Sequence, residues 1–160
     1  MTVYLLLGGN IGNTREYFSD AKRIIQSKIG EITNESSIYE SEPWGFKHEQ
    51  NFLNSVLEVS TQMKPIELLD ATQSIEAELG RVRKKSQYAE RTIDIDILFY
   101  DDIVFDTERL TIPHKMLHKR RFTMLPLNEI VPDYIHPLLN KTVSDLTNIC
   151  EDDSFVKQIK

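Results

Sequence analysis

The stretch Arg91-Thr92-Ile93-Asp94-Ile95-Asp96-Ile97-Leu98-Phe99-Tyr100 constrains the fold more than any other. Isoleucines at 93, 95 and 97 alternate with Thr92, Asp94 and Asp96. Side chains on a strand alternate faces, so this pattern predicts a β-strand with the isoleucines in a core and the aspartates opposite. A two-residue step leaves the two carboxylates about 7 Å apart at Cα. Neighbouring carboxylates repel unless a cation lies between them, and Mg²⁺ takes such oxygens while sharing itself with substrate phosphates. The plain alternative is the solvated face of an amphipathic strand.

Charge arrives in blocks around this strand. Residues 81–91 carry five Lys/Arg against the single Glu90, residues 92–108 six Asp/Glu and no Lys/Arg, and residues 109–121 five Lys/Arg and no acid. Acid between two basic blocks suits a magnesium-bound nucleotide. The net charge of −6 disfavours a non-specific nucleic-acid binder, which needs a basic surface, the two basic blocks being a local exception sized for a small polyphosphate. Cys150 is the only cysteine, so no intrachain disulfide forms, in keeping with a cytoplasmic protein. The first residues, Met1 to Leu7, read as a strand rather than a signal peptide. One domain over residues 1–160 is expected.

In chain order, an apolar strand over residues 2–8 runs into Gly8-Gly9-Asn10-Ile11-Gly12-Asn13, read as a structural turn because no phosphate-loop signature is present. Asn13 is a helix cap with Glu16 three residues on, and Gly30 closes that helix. Residues 32–39 are strand-compatible. A loop holding Pro43, Trp44, Gly45 and Phe46 comes next. In the strand Phe52–Ser60, Phe52, Asn54 and Val56 share one face and Leu53, Ser55 and Leu57 the other. Asn54 among apolar neighbours offers a donor and an acceptor to a heterocycle, or else satisfies nearby backbone.

Pro65 opens a second helix whose buried stripe is Ile66, Leu69, Ile75 and Leu79, with Gln73 and Glu76 sharing a face. After a basic connector over 81–90 and the aspartate strand, Asp101-Asp102 turns the chain into a hairpin with Ile103–Phe105. Short helices are expected around 124–130 and 142–149, the latter capped by Thr142, before a loosely held tail from Glu151. The order gives an α+β fold, a ferredoxin-like βαββαβ plait with helices on one face of the sheet, an added hairpin and C-terminal helices.

Taken together, several segments resemble the 6-hydroxymethyl-7,8-dihydropterin pyrophosphokinases. They are Gly8-Gly9-Asn10-Ile11-Gly12, Gln50 to Asn54, Glu76 through Arg83, Arg91 to Leu98, Pro113-His114, and Arg120-Arg121-Phe122 ahead of Pro126-Leu127. The resemblance covers roughly residues 3–130, and its Arg-Thr-x-Asp-x-Asp segment followed by Pro-His is the most specific part. It implies an enzyme of folate biosynthesis that moves the β,γ-diphosphate of ATP to the pterin hydroxymethyl group and releases AMP. Asp94 and Asp96 then hold two Mg²⁺ ions, and Arg81 and Arg91 join them as catalytic residues. Arg81, Arg91, His114 and Arg120 contact the triphosphate, and Gln73, Glu76, Arg83, Ile97, Arg109 and Thr111 help hold ATP. The pterin lies between Trp44 and Phe122 with Phe52 nearby, its edge read by Asn54 and by the Ser41, Glu42 and Pro43 loop. A monomer with small-molecule substrates and no nucleic-acid or membrane partner is expected.

The chain departs from the family pattern in places. Tyr88-Ala89-Glu90 stands where Trp-Gly-Pro is common, Gly9 where Ser is usual, and Glu42 where a small or apolar residue precedes Pro43. Lys115 and Arg121 replace frequent non-basic residues. The competing readings are another Mg²⁺-dependent phosphotransferase on the same fold, and a non-catalytic nucleotide-binding module.

Overall fold

A computed structural model describes residues 1–42, 51–80 and 92–159. Strand β1 (Thr2–Gly9) is buried along almost its whole length and forms the spine. Its continuous apolar run, Val3 to Leu7, suits a strand covered on both faces. On one side it pairs antiparallel with β4 (Phe52–Thr61), and on the other with β5 (Asp94–Tyr100). Beyond β4 lie β2 (Gly30–Glu35) and β3 (Tyr39–Ser41), both paired to it antiparallel. A last strand, β8 (Val156–Gln158), adds to β3. The main sheet therefore runs β5-β1-β4-β3-β8, with β2 also on β4.

Two cores lie against this sheet. Val3, Leu5, Leu7, Leu57, Val59, Ile93, Ile95 and Ile97 meet helices α1 (Thr14–Lys28) and α2 (Pro65–Glu78) through Phe18, Ala21, Ile25, Leu68 and Ile75. Tyr4, Leu6, Val56, Leu98 and Phe99 meet α3 (Arg121–Ile130) and α4 (Val143–Asn148) through Met124, Leu127, Val143 and Leu146. Helices on one face were expected; the second face is covered as well. An apolar run has no period that tells one covered face from two.

Local signals account for several boundaries. Asn13 Oδ1 accepts the Glu16 amide at 3.2 Å and starts α1. Thr142 Oγ1 accepts the Asp145 amide at 3.0 Å and starts α4. Gly30 follows α1, but the reason is close approach: a Cβ there would lie 1.9 Å from the Ser60 carbonyl oxygen. Residues 32–39 form two strands rather than one, because the chain bends at Ser36, whose hydroxyl takes the Val56 amide at 2.9 Å. In α2 the buried residues are Leu68, Thr72, Ile75 and Glu76, while Ile66, Leu69 and Leu79 pack at the margin.

The Asp101 turn is present, with φ at 46° and the Ile103 amide on the Tyr100 carbonyl. The hairpin it was expected to close is displaced: β6 (Phe105–Asp106) pairs with β7 (Thr111–Ile112), not with β5. The tail expected to hang loosely instead carries β8, tied to β3 by backbone bonds.

Candidate active site

The expected alternation on β5 holds over its first half. Ile93, Ile95 and Ile97 are buried in the first core, and Asp94 and Asp96 are half-buried on the other face. The alternation then breaks. The register between β1 and β5 shifts between Tyr4 and Leu5, and Leu98 and Phe99 both enter the second core. A bulge of this kind puts two residues opposite one and re-aims the side chains beyond it.

The pairing aligns the candidate side chains across the sheet. Gly8 is opposite Asp94 on one side and Asn54 on the other, and Leu6 is opposite Asp96 and Val56. Asp94, Gly8 and Asn54 thus form one row. Gly8 itself adds no side chain between the carboxylate and the amide. Asn54 is buried, and its Nδ2 donates to Ser41 Oγ at 2.8 Å and, more weakly, to the Tyr39 carbonyl at 3.5 Å. Both Asn54 donors therefore face β3, which leaves Oδ1 as the group beside Gly8, 3.4 Å from where a Cβ would stand. Gly9 is held more tightly, since a Cβ there would sit 2.4 Å from the Thr92 carbonyl oxygen.

His114 closes the outer side of this row. Its amide donates to the Leu98 carbonyl at 3.0 Å, which sets the segment after the cis Ile112–Pro113 bond against the outer edge of β5. Its Nδ1 accepts the Met116 amide at 3.1 Å, so the neutral ring carries its proton on Nε2. That nitrogen lies 4.0 Å from Asp96 Oδ2. Burial, reinforced by the Arg120 charge and opposed by Asp94, lowers the imidazole to about 4. The ring is a neutral donor beside two carboxylates at physiological pH.

Glu76 reaches the same strand from the opposite core. It is buried, and its Oε2 accepts the Ile95 amide at 2.7 Å. Because β5 is an edge strand among the described residues, that amide has no strand partner on its outer side. Glu76 thus fixes the residue between the two aspartates, a role that its sharing a helix face with Gln73 did not suggest. Further along α2, Asp70 takes Arg109 in a 2.6 Å ion pair, exposed on both sides. Thr111 donates to Asp106 Oδ1 at 3.1 Å.

The far wall is α3. Arg120 lies with its guanidinium carbon 5.6 Å from the centre of the Phe122 ring. Glu129 at the other end of the helix accepts the Ser37 amide and hydroxyl and the Tyr39 hydroxyl, the last at 2.8 Å. Burial and the bond to Glu129 push the Tyr39 phenol well above its ordinary range. Neither Glu129 nor Asp152, which meets the Arg121 amide, stood out in the sequence; both bonds span tens of residues, and no local spacing signals them.

Residues 4–132 match the family described as 7,8-dihydro-6-hydroxymethylpterin-pyrophosphokinase (HPPK). The chain belongs to this HPPK family. A 2-amino-4-hydroxy-6-hydroxymethyldihydropteridine pyrophosphokinase of Aquifex aeolicus is 42% identical over 90% of this chain and 89% of its own length. The folic acid synthesis protein fol1 of Schizosaccharomyces pombe is 40% identical over 89% of this chain, which spans 19% of that protein. The solved wild-type HPPK-DHPS of Plasmodium falciparum superposes with a TM-score of 0.73 at 20% identity, over 92% of this chain and 43% of that one. That likeness shows a shared mixed α/β fold, and the chain spans less than half of that fusion.

HPPK membership makes the chain an enzyme, a pyrophosphokinase of folate biosynthesis, and disfavours a non-catalytic nucleotide module. Of the HPPK site residues expected from sequence, the structure groups Asp94, Asp96, His114, Arg120, Phe122, Asn54 and Ser41 around the second face of the sheet, with Phe52 two residues before Asn54 on the same strand face. Ile97 points into the first core and is buried, so it offers backbone rather than side chain to that face. Gln73, Arg109 and Thr111 lie on α2 and the β6–β7 hairpin, outside the edge of β5. Arg81, Arg83, Arg91, Pro43 and Trp44, with the 81–90 connector, fall outside the described residues. Among the described residues no helix is long and apolar enough to cross a membrane.

Proposed function

We propose that this chain transfers the β,γ-diphosphate of ATP to the hydroxymethyl oxygen of 6-hydroxymethyl-7,8-dihydropterin. The observation that carries the reading is the row Asp94, Gly8, Asn54, with Asp96 and His114 beside it. It sets hard oxygen ligands two strands away from a buried amide able to read a flat heterocycle, with glycine at the row position between them. Among the described residues no cluster of three or more His, Cys, Asp or Glu forms a self-sufficient metal cage. Two carboxylates on one strand face fit Mg²⁺, which keeps waters and phosphate oxygens in its remaining positions. Asp94 and Asp96 would hold it, as two ions in this reading, and bound there it neutralises the triphosphate and lowers the pKa of the attacking hydroxyl.

In this reading the pterin oxygen bonds to the β-phosphorus in line with the departing AMP oxygen, whose bond to that phosphorus breaks. Positioning and charge neutralisation then supply most of the rate. The neutral His114 donates Nε2–H to a phosphate oxygen, and Arg81, Arg91 and Arg120 match the fork geometry of the triphosphate. Asp96 takes the hydroxyl proton. Asn54 Oδ1 accepts from the pterin edge, while Phe122, Phe52 and Trp44 cover its faces. Gln73, Glu76, Arg83, Ile97, Arg109 and Thr111 bound the ATP side. The strand order β5-β1-β4-β2 within the sheet supports a ferredoxin-like βαββαβ core. We read the chain as one domain, monomeric and cytoplasmic, with Cys150 a free structural thiol.

The test is a product assay with ATP, Mg²⁺ and the dihydropterin. AMP formed one-for-one with pterin diphosphate, only when pterin is present, is the expected result; ADP would overturn the β-phosphorus assignment. Asp94→Asn and Asp96→Asn should each lower kcat by about a thousandfold, the loss of several kcal/mol of metal-borne charge stabilisation.

A further inference from the structure

We propose that the C-terminal segment 151–158 is a strap that fixes one wall of the substrate site, and that Asp152 is the positioning residue for Arg120 and Phe122. The proposal rests on the assignment of Arg120 to ATP and of Ser41, Glu42 and Phe122 to the pterin.

Helix α3 has no side-chain cap of its own. Arg120 holds the cap position in extended geometry, and its side chain makes no capping bond. The first four amides of any helix need partners from outside it. Here the Arg121 amide donates to Asp152 Oδ2 at 2.9 Å, so the cap comes from the tail. An anion at a helix N-terminus is also favoured by the helix dipole. Burial pushes the Asp152 carboxyl up, but the bonds from Arg121 and Ser154 and the Arg121 charge outweigh it and hold it below the usual range. The same carboxylate takes the Ser154 amide on its other oxygen at 3.0 Å, which fixes the turn into β8.

The next residues bind the opposite wall. Val156 pairs with Ser41 and Gln158 with Tyr39. The Phe155 carbonyl accepts the Glu42 amide at 3.4 Å, and the Phe155 amide donates to Glu42 Oε1 at 3.3 Å. The Ile159 amide continues the tie to the Ile38 carbonyl at 2.8 Å, and Gln158 Nε2 donates to Ser37 Oγ at 3.0 Å. One short run of tail thus grips the end of β3, where Ser41 and Glu42 lie, and the first turn of α3, where Arg120 and Phe122 lie.

The far end of α3 is already tied to the same neighbourhood by Glu129 on Ser37 and Tyr39. The helix is therefore pinned at both ends. Removing Asp152 frees only the front end, which bears the two site residues, and leaves the Glu129 end anchored. Glu42, an unusual residue beside Pro43 for this family pattern, gains a local reason: its carboxylate receives the Phe155 amide.

The experiment compares Asp152→Ala, Asp152→Asn and Thr142→Ala in the full chain. Thr142→Ala removes an equivalent cap from α4, away from the site. The readouts are amide hydrogen exchange at Arg121, equilibrium binding of the dihydropterin in the presence of a non-hydrolysable ATP analogue, and thermal stability. Asp152→Ala should exchange about tenfold faster at Arg121 and bind the pterin about five- to tenfold more weakly, in line with the loss of a charged cap. Asp152→Asn keeps one carbonyl oxygen for the Arg121 amide but turns its NH₂ toward the Ser154 amide, so it should fall between the parent and Asp152→Ala in both Arg121 exchange and pterin binding. Thr142→Ala should lower thermal stability by a similar amount yet leave pterin binding unchanged. Pterin binding by Asp152→Ala equal to that of Thr142→Ala would overturn the proposal. A parent protein that binds no pterin would overturn the substrate reading instead, and unchanged Arg121 exchange in Asp152→Ala would then refute the strap on its own.

Discussion

Glu76 is the residue whose replacement separates support of the site from chemistry in the site. Its carboxylate and the Ile95 amide are 4% and 5% exposed by residue and meet at 2.7 Å. Truncation in Glu76→Ala removes a hydrogen bond to a charged group and leaves a buried N–H on an edge strand without its acceptor. Each part of that loss is about 1–3 kcal/mol, and they overlap, so about 3 kcal/mol is expected in all. For a chain of this size that corresponds to a fall in Tm of about 6–12 °C. Glu76→Gln keeps a carbonyl oxygen in place and should cost about 1 kcal/mol. Urea unfolding with chelator present measures the fold alone. The same variants, assayed across Mg²⁺ concentrations, report on the aspartates that flank Ile95. Under the proposed assignment of Mg²⁺ to those aspartates, loss of a group that orients metal ligands typically costs ten- to a hundredfold in metal affinity, so Glu76→Ala should need about tenfold more Mg²⁺ for half-maximal rate. Stability of Glu76→Ala within about 0.5 kcal/mol of the parent, the range of an ordinary surface change, would refute the reasoning. Equal damage from Gln and Ala would show that the charge, rather than the hydrogen bond, holds β5.

Packing and titration supply two more predictions. Gly9→Ala forces a Cβ to within 2.4 Å of the Thr92 carbonyl, so β1 or the chain before Asp94 must move; about 1–3 kcal/mol of stability should be lost, read by urea unfolding, and an unchanged midpoint would contradict the close approach. His136 and His118 are both held below the usual imidazole range, each first by burial, then by the other ring for His136 and by Lys119 for His118. The unfolded chain therefore takes up protons near pH 6.5 that the folded chain refuses, and stability should fall as pH drops through and below that value. His136→Asn, whose amide oxygen can replace Nδ1 as acceptor for the Leu138 and Leu139 amides, should flatten that slope; a slope unchanged by the substitution would assign it elsewhere.

The parts of the fold legible in the sequence are those where one face is wet. The alternation of isoleucine and aspartate over 93–97 has a single solution. Capping at Asn13 and Thr142 was equally readable, because it is a three-residue event. Where both faces are dry the pattern carries no direction, which is why β1 did not announce a second helical layer. The bulge that sends Leu98 and Phe99 to the same core replaces one apolar residue by another and leaves no trace in hydrophobicity. The site divides the same way. Asp94, Asp96, Asn54 and His114 could be singled out as candidates, and their register across Gly8 could not. Glu76 was read as a ligand contact, and its bond to Ile95 gives it a structural task that sequence spacing could not distinguish.

Two departures from the family pattern bear on whether this chain keeps the family's chemistry, and the structure explains both by compensation within the chain. Gly9 replaces a usual serine where the Thr92 carbonyl comes so close that any side chain would strike backbone. A side chain at position 9 would therefore press on the segment leading to Asp94. Glu42 places an acid at the start of the loop proposed to read the pterin, which alone would add charge beside a neutral heterocycle. Its Oε1 instead faces the Phe155 amide and its own amide faces the Phe155 carbonyl, a reciprocal pair that turns the acid toward the tail. A substitution in a retired site drifts without regard to its neighbours. These two have neighbours that fit them: the Thr92 carbonyl packs where a Cβ at position 9 would stand, and the Phe155 amide receives the Glu42 carboxylate. That pattern is expected of a chain in which the row from Asp94 to Asn54 is still held in place for turnover.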